Sequence, residues 1–238
     1  MKNAIILCSG GLDSVVAAHY VKKKGYDNIK ILFFDYGQKC LDAEKKASKK
    51  CAKDLGADFE EIELEWLGKI SDSLINKKGK IKKMSRKDLK NTRQESEKFY
   101  VPFRNGVFLS YAVAFAESLK IKEKKVYNIF VGFKCEGREA YPDTTRGFVS
   151  VFNDVMLVGK IKGKIIAPLI KLDKDEIVKL GKKLGVDLKN SFSCYVSNKH
   201  CGSCLGCKLR QEAFYWANVK DDSEYVTKPY TSLYHTKL

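Results

Sequence analysis

Apolar and polar positions along the chain change their period from segment to segment. Short apolar runs suit buried strands, and apolar residues three and four apart suit helices. Residues 4–7, Ala-Ile-Ile-Leu, predict a first buried strand. Leu12, Val15, Val16 and His19/Tyr20 then fall at helical spacing, and Gly25 sits where a helix stops. A second strand is expected in IKILFFDYGQ, a helix over 41–55 closed by Gly56, and a third strand over 59–64. Residues 68–99 break this rhythm. They are polar, very basic and weakly periodic, as expected of an insertion forming a lid or a disordered loop.

The alternation resumes with VPFRNGVFLSYAVAFAESL. Pro102 fits the start of that helix, and Leu109, Ala112, Val113 and Ala116 form its inward face. VYNIFVGF predicts a fourth strand ending near Gly132, and KIIAPL a fifth. Asp173 with Glu176 three residues on has capping-box spacing, opening a helix that stops at Gly185. Strands alternating with helices imply an α/β fold, with a parallel sheet built from right-handed βαβ units. The expected division is an α/β domain over 1–185 and a small cysteine-bearing region over 186–238.

Length and an apolar share of 44% are enough for one large core with a small appendage. No unbroken apolar run is long enough for a membrane span, and the immediate entry into a strand leaves no expected signal peptide. The formal charge of +16 is carried mostly by Lys. A nucleic-acid partner would explain it. Lysine-rich, solvated helix faces explain it better, because charges in LDAEKKASKKCAKDLG alternate with Ala, Leu and Cys at helical spacing. Four of the eight cysteines crowd together near the C-terminal end and the rest are scattered. That usage fits a reducing cytoplasm and a metal site better than disulfides.

Candidate chemistry begins at LCSGGLDS, residues 7–14. Its two glycines lie between a predicted strand and a predicted helix. Such a turn presents backbone N–H groups at the positive end of a helix dipole, which is an anion site. Gly10 and Gly11 would admit a phosphate to the backbone, and Ser9 and Ser14 add hydroxyl donors. The Walker and dinucleotide glycine patterns are both absent here. The turn resembles the PP-loop of ATP pyrophosphatases, which cleave ATP between the α and β phosphates. That resemblance implies transfer of AMP to a substrate oxygen and release of pyrophosphate held by the loop.

Ligands of parallel sheets gather beyond the C-terminal strand ends. Asp35 and Gln38, in DYGQ, stand at one such end, and Tyr141-Pro142-Asp143 makes a rigid turn after another. Arg104 and Asn105 open a helix, where a cation opposes the dipole and is expected to meet an anion instead. Cys194, Cys201, Cys204 and Cys207 form C-x6-C-x2-C-x2-C. Four thiolates satisfy tetrahedral zinc and leave no open position, so a structural zinc is expected, with Gly202 and Gly206 permitting tight turns. His200 is a possible substitute ligand that a complete cysteine set does not need. An iron–sulfur cluster or a sulfur-transfer cysteine pair would use the same residues.

Taken together, SGGLDS, FDYGQ, VPFRN, YPD and SCY…CGSCLGCKLR resemble the 7-cyano-7-deazaguanine synthase family across nearly the whole chain. The resemblance implies conversion of 7-carboxy-7-deazaguanine, ammonia and ATP into the nitrile for queuosine or archaeosine in tRNA, with Mg²⁺ accompanying ATP, a structural zinc and a homodimer. It implies a doubly wound parallel sheet of Rossmann-like, nucleotide-binding type, and catalytic roles for Ser9, Asp13, Ser14 and Arg104. Leu7, Cys8, Ser9, Gly10, Gly11, Leu12, Asp13, Ser14, Asp35 and Gln38 would surround the nucleotide. Arg104, Asn105, Tyr141 and Asp143 would face the deazapurine. RNA is not the expected direct substrate. Two departures stand out: AYPDTTR replaces the family's GYPDCR, placing Thr144 and Thr145 before Arg146, and Gly137 stands where an Asp is usual. The first cysteine spacing is also slightly shorter than the family's. A PP-loop tRNA thiolase and a zinc-containing nucleic-acid-binding protein are the alternative readings.

Overall fold

The computed structural model describes residues 2–134 and 141–227. Gly137 lies outside the described residues. Five parallel strands form one sheet in the order β3-β2-β1-β4-β5. They are β1 Lys2–Leu7, β2 Tyr26–Asp35, β3 Asp58–Glu63, β4 Tyr127–Val131 and β5 Ile165–Ile166. Period-two alternation sends successive residues to opposite faces. Ala4, Ile6 and Cys8 enter one core, and Ile5 and Leu7 the other.

The first core is closed by α1 (Leu12–Lys23), α2 (Leu41–Leu55), α7 (Lys174–Lys183) and α8 (Leu205–Trp216). Ala213 and Phe214 of α8 pack in the same cluster as Val16 and Ile177. The opposite core is closed by α5 (Arg104–Glu123) and α6 (Arg146–Val158). These are the two helical layers of a doubly wound sheet, as expected.

Several bounds differ from expectation. β2 starts at Tyr26, because polar Tyr-Asp-Asn pairs with the start of β1. β5 keeps only two residues, since Pro168 has no N–H to extend a ladder. Pro102 precedes α5 rather than starting it, and the left-handed Phe103 (φ 50°) makes the turn into Arg104. The Asp173–Glu176 capping box forms as predicted, and left-handed Gly185 follows the end of α7.

The 68–99 segment is largely irregular, as expected, but it is not detached. α3 (Glu65–Lys69) leads into it, a 3₁₀ turn covers Lys87–Lys90 and α4 covers Arg93–Glu97. Ile75, Met84 and Phe99 are buried in the α5 core. Its lysines stay outside and most of its few apolar residues face inward, with Ile70 exposed, which is why its average composition reads as loop. No helix among the described residues is long and apolar enough to cross a membrane.

Candidate active site

The strand order reverses direction at β1 and β4, and a cleft of about 300 Å³ opens beyond their C-terminal ends. The glycine turn forms its floor. Leu7, Cys8, Ser9, Gly11, Leu12, Asp13 and Ser14 all line it. Gly11 N–H donates to Ser9 Oγ at 3.3 Å, and Ser14 Oγ donates to the Gly11 carbonyl at 3.0 Å. Ser9 and Ser14 hydroxyls lie 3.4 Å apart, so one phosphate oxygen could meet both. Cys8 is buried beneath them, 3.6 Å from Ser14 Oγ.

The two glycines serve different ends. Gly11 borders the cleft, and a Cβ there would lie 3.2 Å from Ser9 Oγ. Gly10 does not line the cleft. It has φ 76°, and a Cβ there would lie 2.5 Å from the Glu44 carbonyl oxygen and 2.8 Å from the Ser48 amide. Its need for glycine therefore comes from the backbone of α2, not from a phosphate, which corrects the shared role expected of the pair. Gly132, after β4, is a third such position, because its Cβ would lie 2.7 Å from Ser14 Cα. Nothing in the local sequence marks it beyond its place at a strand end.

Asp13 pairs with Lys174 at 3.1 Å through Oδ2. Its Oδ1 is buried with no partner. An orphaned carboxylate oxygen beside a phosphate site suits a hard divalent cation. Lys174 comes from the first turn of α7, and no motif flagged it.

Arg104 extends into the cleft from α5. Its guanidinium donates to the Tyr36 hydroxyl at 3.2 Å and lies over the Tyr36 and Phe108 rings. Burial opposes its charge, and Tyr36, Asp143 and Glu44 more than offset that. Burial also pushes the Tyr36 hydroxyl up to about 12, keeping it a neutral partner for Arg104 at physiological pH. Asn105 is buried, and its side-chain oxygen accepts from Arg104 at 3.4 Å. Asp143 also lines the cleft, but Oδ2 accepts the Asn105 backbone N–H at 3.2 Å. It thus caps α5, a partner 38 residues away that its own turn does not reveal. Tyr141 stacks on Tyr100 at 5.7 Å and donates to the Ser96 carbonyl. Phe34 stacks flat on Phe108 at 4.1 Å, and Phe99 meets Tyr195 at 5.0 Å. These rings give the cleft apolar faces of the size a purine-like ring needs.

Asp35 and Gln38 are not brought to the cleft. Asp35 Oδ1 accepts from Gly37 N–H, closing the turn. Gln38 is buried, donates to the Phe34 carbonyl and Glu44 Oε2, and accepts from Tyr36 N–H. Their polarity is consumed by the turn itself. Glu44, one turn into α2, does line the cleft. It was missed because LDAEKK reads as an ordinary solvated helix face.

Thr144 and Thr145 have structural employment. Thr144 Oγ1 donates to the Tyr141 carbonyl at 2.8 Å, and Thr145 caps α6 by accepting from Phe148 N–H at 3.2 Å.

The four cysteines converge, with all four sulfurs within 4.8 Å of one another. Cys194–Cys204 and Cys201–Cys207 are each 3.9 Å apart. A tetrahedral zinc–thiolate centre with bonds of about 2.3 Å has edges of about 3.8 Å, so the set fits that ion. Backbone N–H groups of Val196, Ser203 and Cys207 point at the sulfurs, as thiolate charge requires. His200 is not in this set. Its Nε2 accepts from Ser193 N–H, and burial first, then Arg210, holds it down to about 4. Gly202 is left-handed as expected. Gly206 is inside α8, where a Cβ would strike the Ser193 carbonyl, so close approach and not a turn demands it.

The knuckle is also a wall of the cleft. Phe192, Ser193, Cys194, Tyr195, Leu205 and Gly206 line it. Met84 N–H donates to the Ser203 carbonyl, tying the basic segment to the same wall.

A parallel sheet with a serine- and glycine-rich anion loop, a cation-bearing aromatic cleft and a thiolate knuckle defines an α/β enzyme of the PP-loop, nucleotide-activating class. The family model described as "Queuosine biosynthesis protein QueC" matches residues 3–218. This chain belongs to the QueC family. It is 40% identical to the 7-cyano-7-deazaguanine synthase of Methanobrevibacter smithii over 229 residues, covering 94% of this chain and 98% of that protein. The synthase of Methanococcus aeolicus is 38% identical, with 94% and 99% covered. That of Methanothermobacter thermautotrophicus is 33% identical, with 93% and 98% covered.

Proposed function

We propose that this chain makes 7-cyano-7-deazaguanine, the product its relatives are named for, from 7-carboxy-7-deazaguanine, ammonia and ATP. The observation that carries the reading is that the phosphate loop and the Arg104-bearing aromatic cleft are one cavity. A carboxylate is inert toward ammonia until its oxygen becomes part of a good leaving group. AMP transfer supplies that. Ammonia then gives the amide, and a second adenylation of the amide oxygen followed by loss of AMP gives the nitrile.

The side chains divide this work. Ser9, Ser14 and the Gly11 amide hold the departing pyrophosphate, with Lys174 nearby to offset its charge. Leu7, Cys8 and Leu12 shape the nucleotide side of the cleft. Arg104 steers the substrate carboxylate and stabilises charge at the reacting oxygen. Asn105, Tyr141 and Asp143 complete the deazapurine side. Mg²⁺ would sit at Asp13 Oδ1, and zinc at Cys194, Cys201, Cys204 and Cys207, where it is structural. Residues 186–238 are then a zinc-bearing extension of the 1–185 domain.

The enzyme works in the cytoplasm as a homodimer. Val151, Val155 and Val158 support self-association, since they are all more than half exposed in one helical stripe of α6. RNA is not needed for turnover. The test is incubation with 7-carboxy-7-deazaguanine, ammonium, Mg²⁺ and ATP, with products read by mass. Nitrile, AMP and pyrophosphate are expected without RNA. ATP left intact in the presence of the acid would overturn the reading.

A further inference from the structure

Glu44 is the cleft carboxylate that the division of labour above leaves unused. It stands on α2, with its backbone carbonyl against Gly10 of the phosphate loop and its side chain in the cleft. Gln38 Nε2 donates to Oε2 at 3.2 Å, which fixes the carboxyl group. Oε1 has no hydrogen bond among the described residues. The titratable and charged groups that face it are Arg104 from α5, Cys194 from the knuckle, Tyr36 just after β2 and Cys40 just before α2.

One reactant still has no site. Ammonia at neutral pH is mostly ammonium, which has no lone pair and cannot attack. A site for it needs an anionic oxygen to attract the cation and then to accept a proton. We propose that the Glu44 carboxylate receives ammonium in the cleft and takes the proton whose removal makes it a nucleophile. This inference rests on the reading of the reaction above. Ammonium passes one proton to Glu44 Oε1, leaving neutral ammonia and a carboxylic acid. The nitrogen lone pair forms the C–N bond at the activated carbonyl, the C–O bond to phosphate breaks, and AMP leaves with that electron pair. The second excess proton leaves to water, as does the one on Glu44, restoring the carboxylate.

Gln38 acquires a purpose here as a positioning residue. Its amide is bonded to the Phe34 carbonyl and the Tyr36 amide, so it holds Glu44 against a rigid strand end. Burial raises the Glu44 carboxyl to about 7, against the pull of Gln38 and Arg104, and a base poised near ambient pH transfers protons well.

The test compares ammonium chloride with hydroxylamine, which is largely unprotonated at neutral pH and needs no base. Glu44→Gln should lower kcat/KM for ammonium by about 100-fold at pH 7, with the loss shrinking as pH rises and free ammonia accumulates. With hydroxylamine the variant should come within about threefold of the unaltered enzyme, and Glu44→Asp should fall between the two for ammonium. An equal loss with both nucleophiles, or no loss with ammonium, overturns the role. Zinc content and circular dichroism identify a misfolded Gln variant, in which case the Asp variant carries the same comparison. If the unaltered enzyme forms no nitrile, the reaction itself is misread, which is a different failure from this one.

Discussion

The backbone N–H of Phe192 donates to the carbonyl of Gly10 at 2.8 Å. One hydrogen bond thus joins the segment that carries the first knuckle cysteine to the glycine turn at the floor of the cleft. On its other side Gly10 lies against α2. The loop is held between a helix and the four-cysteine wall.

The two loop glycines should therefore fail differently. Gly10→Ala places a Cβ on a left-handed residue and into the α2 backbone, at a cost of about 2 kcal/mol or more. Thermal melting should show the loss. Gly11→Val should melt within about 1 kcal/mol of the parent, because Gly11 has ordinary extended angles, yet lose ATP cleavage. A Gly11→Val protein with normal turnover would remove phosphate from the loop.

Chelation or Cys204→Ala should abolish metal binding and lower Tm by roughly 10 °C, since site binding energy is folding energy. Because Cys194, Tyr195 and Gly206 line the cleft, substrate affinity should fall even where the fold survives at low temperature. A variant that retains both its metal and its Tm would show that the four cysteines are not the ligands.

Asp143→Ala leaves the Asn105 N–H buried without an acceptor, a loss of about 1–3 kcal/mol. Asp143→Asn keeps an acceptor oxygen and should cost much less. If the charge also reads the N–H donors of a guanine-type ring, Asp143→Asn should raise KM for the deazapurine while KM for ATP stays near normal. Unchanged KM for both would leave Asp143 as a helix cap alone.

Glu44 should also weaken the fold as it ionises. Its carboxyl is raised from 4.5 to about 7, chiefly by burial. Between those values the unfolded chain is ionised and the folded one is not, so stability falls as pH rises through this window. Glu44→Gln removes that penalty. It should melt higher than the parent at pH 8 and nearly level with it at pH 4, measured by calorimetry. A constant difference across the range would place the shift elsewhere.

The sheet, the place of Ser9 and Ser14 in the cleft and the convergence of the four cysteines were legible because each is local: a strand, a turn, or cysteines a few residues apart. Asp35 and Gln38 were misplaced because a strand-end rule says where a turn is, not which way its side chains are spent. Glu44 was invisible, since the same charged letters on the outer turns of α2 are solvated. α6 went unread because Phe148, Val149, Val151, Phe152 and Val155 have strand propensity, and only packing on the α5 core decides for helix. The long segment at 68–99 was read by its lysines, while its structure is set by a few buried residues.

The order of the strands has a consequence for synthesis. β1 is made first and ends at the centre of the sheet, between β2 and β4. Its phosphate loop at Ser9–Ser14 gains Gly132, Lys174 and finally Phe192 to Leu209 as walls only late in translation. A nascent chain therefore carries an intact nucleotide motif with no surroundings to bind through. Ribosome-bound intermediates should be blind to ATP until the cysteines have emerged, so that competence arrives in one late step rather than growing with length.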